Sequence, residues 1–195
     1  MSTTTRLTIE QFDQMIADGA FEKGPKRERI ELIEGELREM SPIGPVHDDI
    51  VRRLTRWSCR VLNERDGEVG IQMSIDLPDF ESVLQPDVAW VRKRDYSRRR
   101  PAAADALLII EVADSSLHYD RGEKAAKYAA SGIADYWVVD VPNQAIHVHR
   151  LPQAGGFASF QTFRGAEHVS PLAVPTAELV AQSLFPSVDP ASEEG

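Results

Sequence analysis

Cysteine is almost absent from this chain, and long apolar segments are absent altogether. Cys59 is the single cysteine among 195 residues, which excludes an internal disulfide framework and any zinc site built from several cysteines. No run of 18 apolar residues occurs, so no segment is predicted to span a membrane. The opening stretch MSTTTRLTIEQFDQ lacks the apolar core of a secretory signal. We therefore expect a soluble protein of the cytoplasm.

Positive charge is also in short supply. Lysine and arginine number 22 against 31 aspartate and glutamate residues, which gives a net charge of −9. Bulk charge therefore does not favour a protein that coats nucleic acid, and any phosphate binding must come from a local patch or a metal ion. Hydrophobic residues make up 42% of the chain, enough for a core. We expect one domain over residues 1–186 and a polar, flexible tail over 187–195.

The hydrophobic pattern predicts a mixed α/β domain with a central sheet. A capping box from Thr8 to Gln11 predicts a helix over 9–18. Strands over 30–33 and 36–40 flank Glu34 and Gly35, which is typical of a tight hairpin. Helical spacing of apolar residues predicts a further helix over 47–64, and composition predicts one over 120–130 that ends at Gly132. The remaining strands are predicted over 69–77, 86–91, 106–113, 136–141, 145–149 and 157–163.

One acidic residue interrupts a strongly apolar strand. Glu111 lies within the segment LLIIEVA, and burying an ionised carboxylate without a partner costs several kcal/mol or more. Asp87 has the same character, because it opens an apolar strand directly after Pro86. If the two strands are neighbours, the acids form a paired-carboxylate site of the kind that binds Mg²⁺. The alternative is that Asp87 caps a turn and Glu111 pairs with a structural lysine or arginine.

A lysine on the following helix can reach the same place. The segment DRGEKAAKY places Asp120, Lys124 and either Tyr128 or Lys127 on one helical face. This helix follows the Glu111 strand after a short loop, so Lys124 can fold back over the end of that strand. The alternative is a solvated helix cation paired with Asp120.

Three ordered segments resemble a known family. They are IELIEGELREMSP followed by a histidine, QPDVAWV, and LLIIEVADSS continued by YDRGEKAAKYAASGIADYWVVD. From Ile30 to His149 the chain is similar to the Uma2 (Uma-two) family of restriction-endonuclease-like proteins, formerly a family of unknown function, in the PD-(D/E)XK nuclease superfamily. The resemblance implies a restriction-endonuclease-like central mixed sheet flanked by helices, with an N-terminal hairpin. It also implies a metal-dependent endonuclease that hydrolyses DNA.

The resemblance assigns roles to particular residues. It places the PD acid on Asp87 and the central acid on Glu111, while Ala113 stands where the plain superfamily pattern has lysine. In this family the lysine is taken to have moved to the helix, where Lys124 matches and Lys127 is the fallback. Asp87 and Glu111 would then hold Mg²⁺ or Mn²⁺, with the carbonyl of Val112 as third ligand.

The sequence leaves alternatives for further site residues and for partners. The hairpin offers Glu36 as a further acid, with Glu31 and Glu34 as competitors, and His47 either supports the site or simply begins a helix. The basic loop, defined as residues 92–94 and 98–100, either grips phosphates or is an ordinary solvated loop. A nuclease that cuts both DNA strands is expected to be a homodimer. The alternative function is a non-catalytic nucleic-acid-binding or protein-binding module that keeps the nuclease fold.

Overall fold

The computed structural model describes residues 6–23, 26–40 and 43–186, so the predicted tail lies outside the described part of the chain. Its helices are α1 (Ile9–Ala17), α2 (Pro45–Val61) and α3 (117–130), with short 3-10 turns at Pro78–Phe80, Ala103–Asp105 and Ala181–Leu184. The strands are β1 (Glu22–Lys23), β2 (Lys26–Arg27), β3 (Ile30–Ile33), β4 (Glu36–Glu39), β5 (Glu68–Ile71), β6 (Ile75–Leu77), β7 (Ser82–Leu84), β8 (Val88–Val91), β9 (Ala106–Ala113), β10 (Asp135–Asp140), β11 (Ala145–Gln153), β12 (Gly156–Arg164), β13 (His168–Val169) and β14 (Leu179–Val180). Within the described residues, no helix is both long and apolar enough to cross a membrane.

A six-stranded sheet forms the centre of the molecule. Its strand order is β12-β11-β10-β9-β8-β5. The strands β9 and β10 are parallel, and the other neighbouring pairs are antiparallel. The unbroken apolar run in β9 predicts a centre strand that is covered on both faces, and β9 occupies that position. The predicted mixed α/β fold with a central mixed sheet is confirmed.

Aromatic side chains hold a helix against each face of this sheet. On one face, Trp57 of α2 packs against Trp90 and Trp137, with ring centroids 5.3 and 5.9 Å apart. On the other face, Tyr128 of α3 contacts Tyr136 at 4.9 Å. Buried aromatic pairs of this kind contribute packing energy beyond the area they bury. The helix α3, which connects β9 to β10, lies over β11 and β12 on this face, and its Tyr128 hydroxyl reaches Glu111 of β9.

The predicted N-terminal hairpin belongs to a second sheet with the order β4-β3-β7-β6. Its turn has positive φ at Glu34 (49°) and Gly35 (79°), as in the type I′ turns that suit a two-residue hairpin. The helix α1 begins with the predicted capping box between Thr8 and Gln11, and the backbone N–H of Leu7 donates to the Gly35 carbonyl at 2.8 Å. The contact of Leu7 holds the start of α1 against the hairpin turn.

Two elements differ from the prediction. The alternating segment 69–77 is not one strand, because β5 and β6 lie in different sheets and the chain turns at Gln72, whose φ is 49°. Alternation persists across the turn because both short strands are half-buried, so periodicity alone does not show the change of sheet. The predicted helix over 120–130 contains a wider π-helical turn at Asp120–Lys124 before the α-helical part Ala125–Ala130. Such turns often mark functional positions.

Replacing Gly35 by alanine tests how the hairpin is held. A β-carbon at Gly35 would meet the Leu7 carbonyl oxygen at 2.8 Å, whereas one at Gly155 would meet nothing within 4 Å. Both glycines have positive φ, so each alanine variant should lose about 1–2 kcal/mol from backbone strain. Gly35→Ala should lose about 1–3 kcal/mol more, because overpacking adds to that strain. Urea unfolding of both variants measures the difference, and equal losses would contradict the proposed close contact.

Candidate active site

Two acids far apart in sequence face each other on neighbouring strands. Val88 of β8 pairs with Ile110 of β9, and one step further along this antiparallel register places Asp87 opposite Glu111. Opposed residues of this kind have Cβ atoms about 4.5–5.5 Å apart. The backbone N–H of Val112 donates to Asp87 Oδ2 at 2.9 Å, which fixes the Asp87 carboxylate at this end of the sheet. We call Asp87 and Glu111 the acidic pair; they are 5% and 3% exposed.

The backbone of Val112 faces the same gap as the acidic pair. In a strand, the N–H and C=O groups of one residue project from the same edge. Because the N–H of Val112 points to Asp87, its carbonyl also projects towards the β8 side of β9. This position would allow the Val112 carbonyl to serve as an additional oxygen ligand of a metal ion.

Lys124 reaches the acidic pair from α3. Its Nζ lies 3.0 Å from Glu111 Oε1 and 3.0 Å from Glu31 Oε1, and 4.0 Å from Asp120 Oδ1. Tyr128, one turn further along, donates to Glu111 Oε1 at 3.1 Å. Lys124 is only 3% exposed, so it is a buried cation inside an acidic cluster and does not match the solvated-cation alternative. This ion pair matches the alternative in which Glu111 pairs with a structural lysine. It nevertheless lies in the wall of a cavity.

The hairpin contributes Glu31 to this cluster. Glu31 is 2% exposed, and its Oε1 also accepts a hydrogen bond from the backbone N–H of Gln85 at 2.8 Å. Glu36 is exposed at the start of β4 and is not among the residues that line the cavity. Glu34 pairs instead with Lys127. The structure thus brings Glu31 and Lys124 to the acidic pair, and it does not bring Glu36 or Lys127 there.

His47 contacts the acidic pair from the first turn of α2. Its Nε2 lies 3.1 Å from Asp87 Oδ2, while its Nδ1 is buried with no hydrogen-bond partner among the described residues. Burial alone would lower the pKa of His47, but the hydrogen bond and charge of Asp87 outweigh it and raise the pKa. His47 is therefore more than a helix-start residue, because it contacts the same Asp87 oxygen that accepts from the Val112 N–H.

These side chains surround a cavity of about 160 Å³, large enough for several water molecules. The cavity wall contains the acidic pair, Lys124, Glu31, Asp120, His47, Val112, Tyr119, Arg29, Arg38, Glu39, Met40, Ile43, Gly44, Asp114, Ser115 and Ser116.

Negative charge is in excess inside this cluster. The buried carboxylates of Glu31, Glu111 and Asp120 surround one buried ammonium, and the buried carboxylate of Asp87 lies opposite Glu111. Burial raises the pKa of Glu111 well above its usual range, with Lys124 opposing the rise and the nearby carboxylates adding to it. Burial likewise raises the pKa of Asp120. A divalent cation would relieve this repulsion.

The donor set fits a hard divalent ion such as Mg²⁺ or Mn²⁺. Mg²⁺ is usually bound by one or two carboxylates and keeps several waters, and the acidic pair, the Val112 carbonyl and the cavity supply those elements. Over the described ranges, no three His, Cys, Asp or Glu side chains are arranged to hold a metal ion by themselves. The ammonium of Lys124 instead lies between the carboxylates of Glu31 and Glu111.

The basic loop lies at the other end of the central sheet. It follows the last residue of β8 and precedes β9, whereas the acidic pair lies before β8 and near the end of β9. Arg94 and Arg99 pair with Asp105, and Arg100 pairs with Asp13 and Asp76. Much of its positive charge is therefore neutralised locally, and the loop does not line the cavity.

Comparisons with known proteins identify a family and a similar fold. The model of the Uma2 family, described as "Putative restriction endonuclease", matches residues 9–182. A solved structure from Anabaena variabilis ATCC 29413, described as "a putative nuclease belonging to DUF820", has a similar fold with a TM-score of 0.69. The two sequences are 16% identical, and the alignment covers 92% of this chain and 97% of the other. No curated protein matches the sequence.

Replacing Lys124 by methionine tests the buried charge cluster. Loss of the ammonium should cost about 3–5 kcal/mol near neutral pH, because Glu31 and Glu111 lose their shared cation. A carboxyl whose pKa is higher in the folded than in the unfolded protein favours folding at low pH and loses that contribution as the pH rises. The pKa of Glu111 is already raised, and the substitution raises it further, so the loss should be smaller at about pH 5 than at about pH 7.5.

Urea unfolding at the two pH values measures this difference. The matched control is Lys127→Met, which removes a lysine of the same helix that pairs with Glu34 near the hairpin turn. The control should lose about 1 kcal/mol or less, with no change between the two pH values. An equal loss for Lys124→Met at both pH values would contradict the charge cluster.

Proposed function

Since the chain belongs to the Uma2 family, described as "Putative restriction endonuclease", we propose that it is a metal-dependent endonuclease that hydrolyses phosphodiester bonds of DNA. The observation that carries the proposal is the acidic pair opposed on β8 and β9, with Lys124 held against Glu111 at 3.0 Å in the wall of a cavity. Paired carboxylates with a neighbouring ammonium provide what hydrolysis of a phosphodiester requires: oxygen ligands for a cation and a fixed positive charge.

Each of these side chains has a proposed role. Asp87, Glu111 and the Val112 carbonyl would hold Mg²⁺ or Mn²⁺, which would supply Lewis acidity for the phosphodiester and for the attacking water. Lys124 stays charged, because the carboxylates around it outweigh burial and raise its pKa. Its ammonium stabilises negative charge that develops at phosphorus.

Other contacts keep these groups in place. Tyr128 donates to Glu111 and His47 contacts Asp87, so each member of the acidic pair is oriented by a further side chain. Glu31 anchors Lys124 from the hairpin. Groups that hold a reacting constellation within fractions of an ångström contribute to rate even when they do not touch the substrate.

A non-catalytic binding module is the second candidate. The observation in its favour is the ion pair of Lys124 with both Glu31 and Glu111, which partly satisfies the cluster without a metal ion. Titration with Mn²⁺ by calorimetry separates the two candidates, because a metal-dependent nuclease should bind Mn²⁺ through the acidic pair and a degenerate module should not.

Replacing Asp87 by asparagine tests the proposed activity. Wild-type protein should cut plasmid DNA when Mg²⁺ or Mn²⁺ is added, and Asp87→Asn should cut at least about 100-fold more slowly because a ligand carboxylate is lost. The matched control is Asp105→Asn, another buried aspartate at the opposite end of the sheet, which should retain activity within about threefold once folding is confirmed by circular dichroism. Metal-stimulated cleavage of equal rate in Asp87→Asn would contradict the proposal.

Glu31→Gln and Glu36→Gln together identify the acid that the hairpin supplies. Glu31 accepts from Lys124 and from the Gln85 backbone, so its neutralisation should release the lysine and slow cleavage by roughly 10-fold or more. Glu36 is exposed, and Glu36→Gln should cleave at the wild-type rate. Single-turnover cleavage of a labelled duplex measures both, and the reverse order of effects would reassign the hairpin acid to Glu36.

A further inference from the structure

Hydrogen-bond donors in the cavity wall are left without acceptors. The Nη2 group of Arg29 and the hydroxyl of Tyr119 are both buried and have no hydrogen-bond partner among the described residues. A buried polar group that is left unpaired costs about 1–3 kcal/mol, so native proteins rarely keep one without a reason. Both residues line the cavity that contains the acidic pair.

A third donor approaches the same wall from the hairpin. Arg38 of β4 lines the cavity, and its side chain is 40% exposed while it pairs with Glu123 at 2.7 Å. The Arg38 guanidinium lies 5.3 Å from the centre of the Tyr119 ring, and the Lys124 ammonium lies 5.5 Å from the same centre. Tyr119 therefore has the two cations against its ring, while its own hydroxyl finds no acceptor among the described residues.

The chemistry of these donors selects an anionic ligand with several oxygens. Guanidinium groups bind phosphate and carboxylate oxygens through paired N–H donors. The acidic cluster of the same cavity repels a free anion, so an anion needs a cationic wall and a metal ion to enter. A backbone phosphate of a nucleic acid meets both demands, because it brings acceptor oxygens for the wall and for the ion.

We propose that Arg29, Arg38 and Tyr119 form a phosphate-binding wall that holds a backbone phosphate of a nucleic-acid strand beside the acidic pair. The proposal rests on the proposed function and names the groups that recognise its substrate. In it the Arg38–Glu123 pair is a contact of the free protein, and the phosphate competes with the Glu123 carboxylate for the guanidinium. Arg29 keeps its bond from Nε to Gln85 Oε1 at 3.2 Å and offers Nη2 to the ligand.

Binding of a 20-nucleotide, 5′-fluorescein-labelled single strand tests the wall. Fluorescence anisotropy is measured with Ca²⁺ in place of Mg²⁺, and a gel verifies that the strand is intact. Arg38→Gln should raise Kd roughly 5- to 20-fold and reduce the slope of log Kd against log salt by about 0.7, the value of one phosphate contact on a single strand. Tyr119→Phe, which keeps the ring, should raise Kd roughly two- to fivefold and leave Mn²⁺ affinity unchanged.

Two control variants separate recognition from structure and from bulk charge. Glu123→Gln removes the competitor of the phosphate, so its Kd should equal that of the wild type or be lower. Arg98→Gln removes an exposed arginine from the basic loop and should change Kd by less than about twofold. The proposal is overturned if Glu123→Gln weakens binding as Arg38→Gln does, if Arg98→Gln does so, if Arg38→Gln binds like the wild type, or if the wild type does not bind the strand.

These outcomes are independent of those for the proposed function. Binding that depends on Arg38 in a protein without metal-stimulated cleavage would support the wall and refute the nuclease. Metal-stimulated cleavage with the same KM in wild type, Arg38→Gln and Tyr119→Phe would support the nuclease and refute the wall.

Discussion

The ammonium of Lys124 joins three parts of the chain that are distant in sequence. It lies 3.0 Å from carboxylates of the hairpin strand β3 and of the central strand β9, and it is itself carried by α3. Taking charges out of water costs several kcal/mol for each ion, and their attraction repays this only when the remaining hydrogen bonds are satisfied. Here Tyr128 and the Gln85 backbone provide such bonds. The hairpin, the sheet and the helix must therefore keep one mutual arrangement for the cluster to be tolerated.

A cluster of this kind is a poor way to stabilise a fold. Well-packed apolar side chains in place of a buried ion pair are often neutral or stabilising, and the surrounding core is already rich in such side chains. The surplus of carboxylates makes the argument stronger, because the single ammonium of Lys124 is shared by three buried acids. The pKa of Glu111 is raised by this environment, and perturbed acids in a cavity are typical of functional sites. Function explains the cluster better than stability does.

Much of the fold and part of the site could be predicted from local sequence. The segment LLIIEVA identifies both the centre strand and the acid within it, and Pro86 followed by Asp87 identifies the start of its neighbour. Glu31 carries a similar signal, since it stands between Ile30 and Leu32. Glu31 reaches the cluster and Glu36 does not, because of the hairpin face that meets Gln85 and Lys124. Such contacts between distant segments leave no local pattern in the sequence.

The same limit explains the other differences. The chain leaves one sheet for another at Gln72 without any change in alternation, because both short strands are half-buried. The π-helical turn at Asp120–Lys124 is not encoded by helix propensity. The basic loop is the clearest case, because its composition suggests phosphate binding, while its place at the far end of the sheet and its ion pairs with Asp105 point to a local structural role.

The positions of Arg29 and Arg38 in the cavity wall bear on how an acidic chain could accept a polyanion. With a net charge of −9, long-range electrostatic repulsion opposes association with nucleic acid. Contacts at the cavity must therefore supply the favourable free energy at short range, where screening by salt is weakest. Arg29 and Arg38 lie at this place, and both come from the N-terminal sheet segment that also carries Glu31. The hairpin thus links the acid that anchors Lys124 to the cations that would face the substrate, so its position would affect both the proposed catalysis and the proposed recognition.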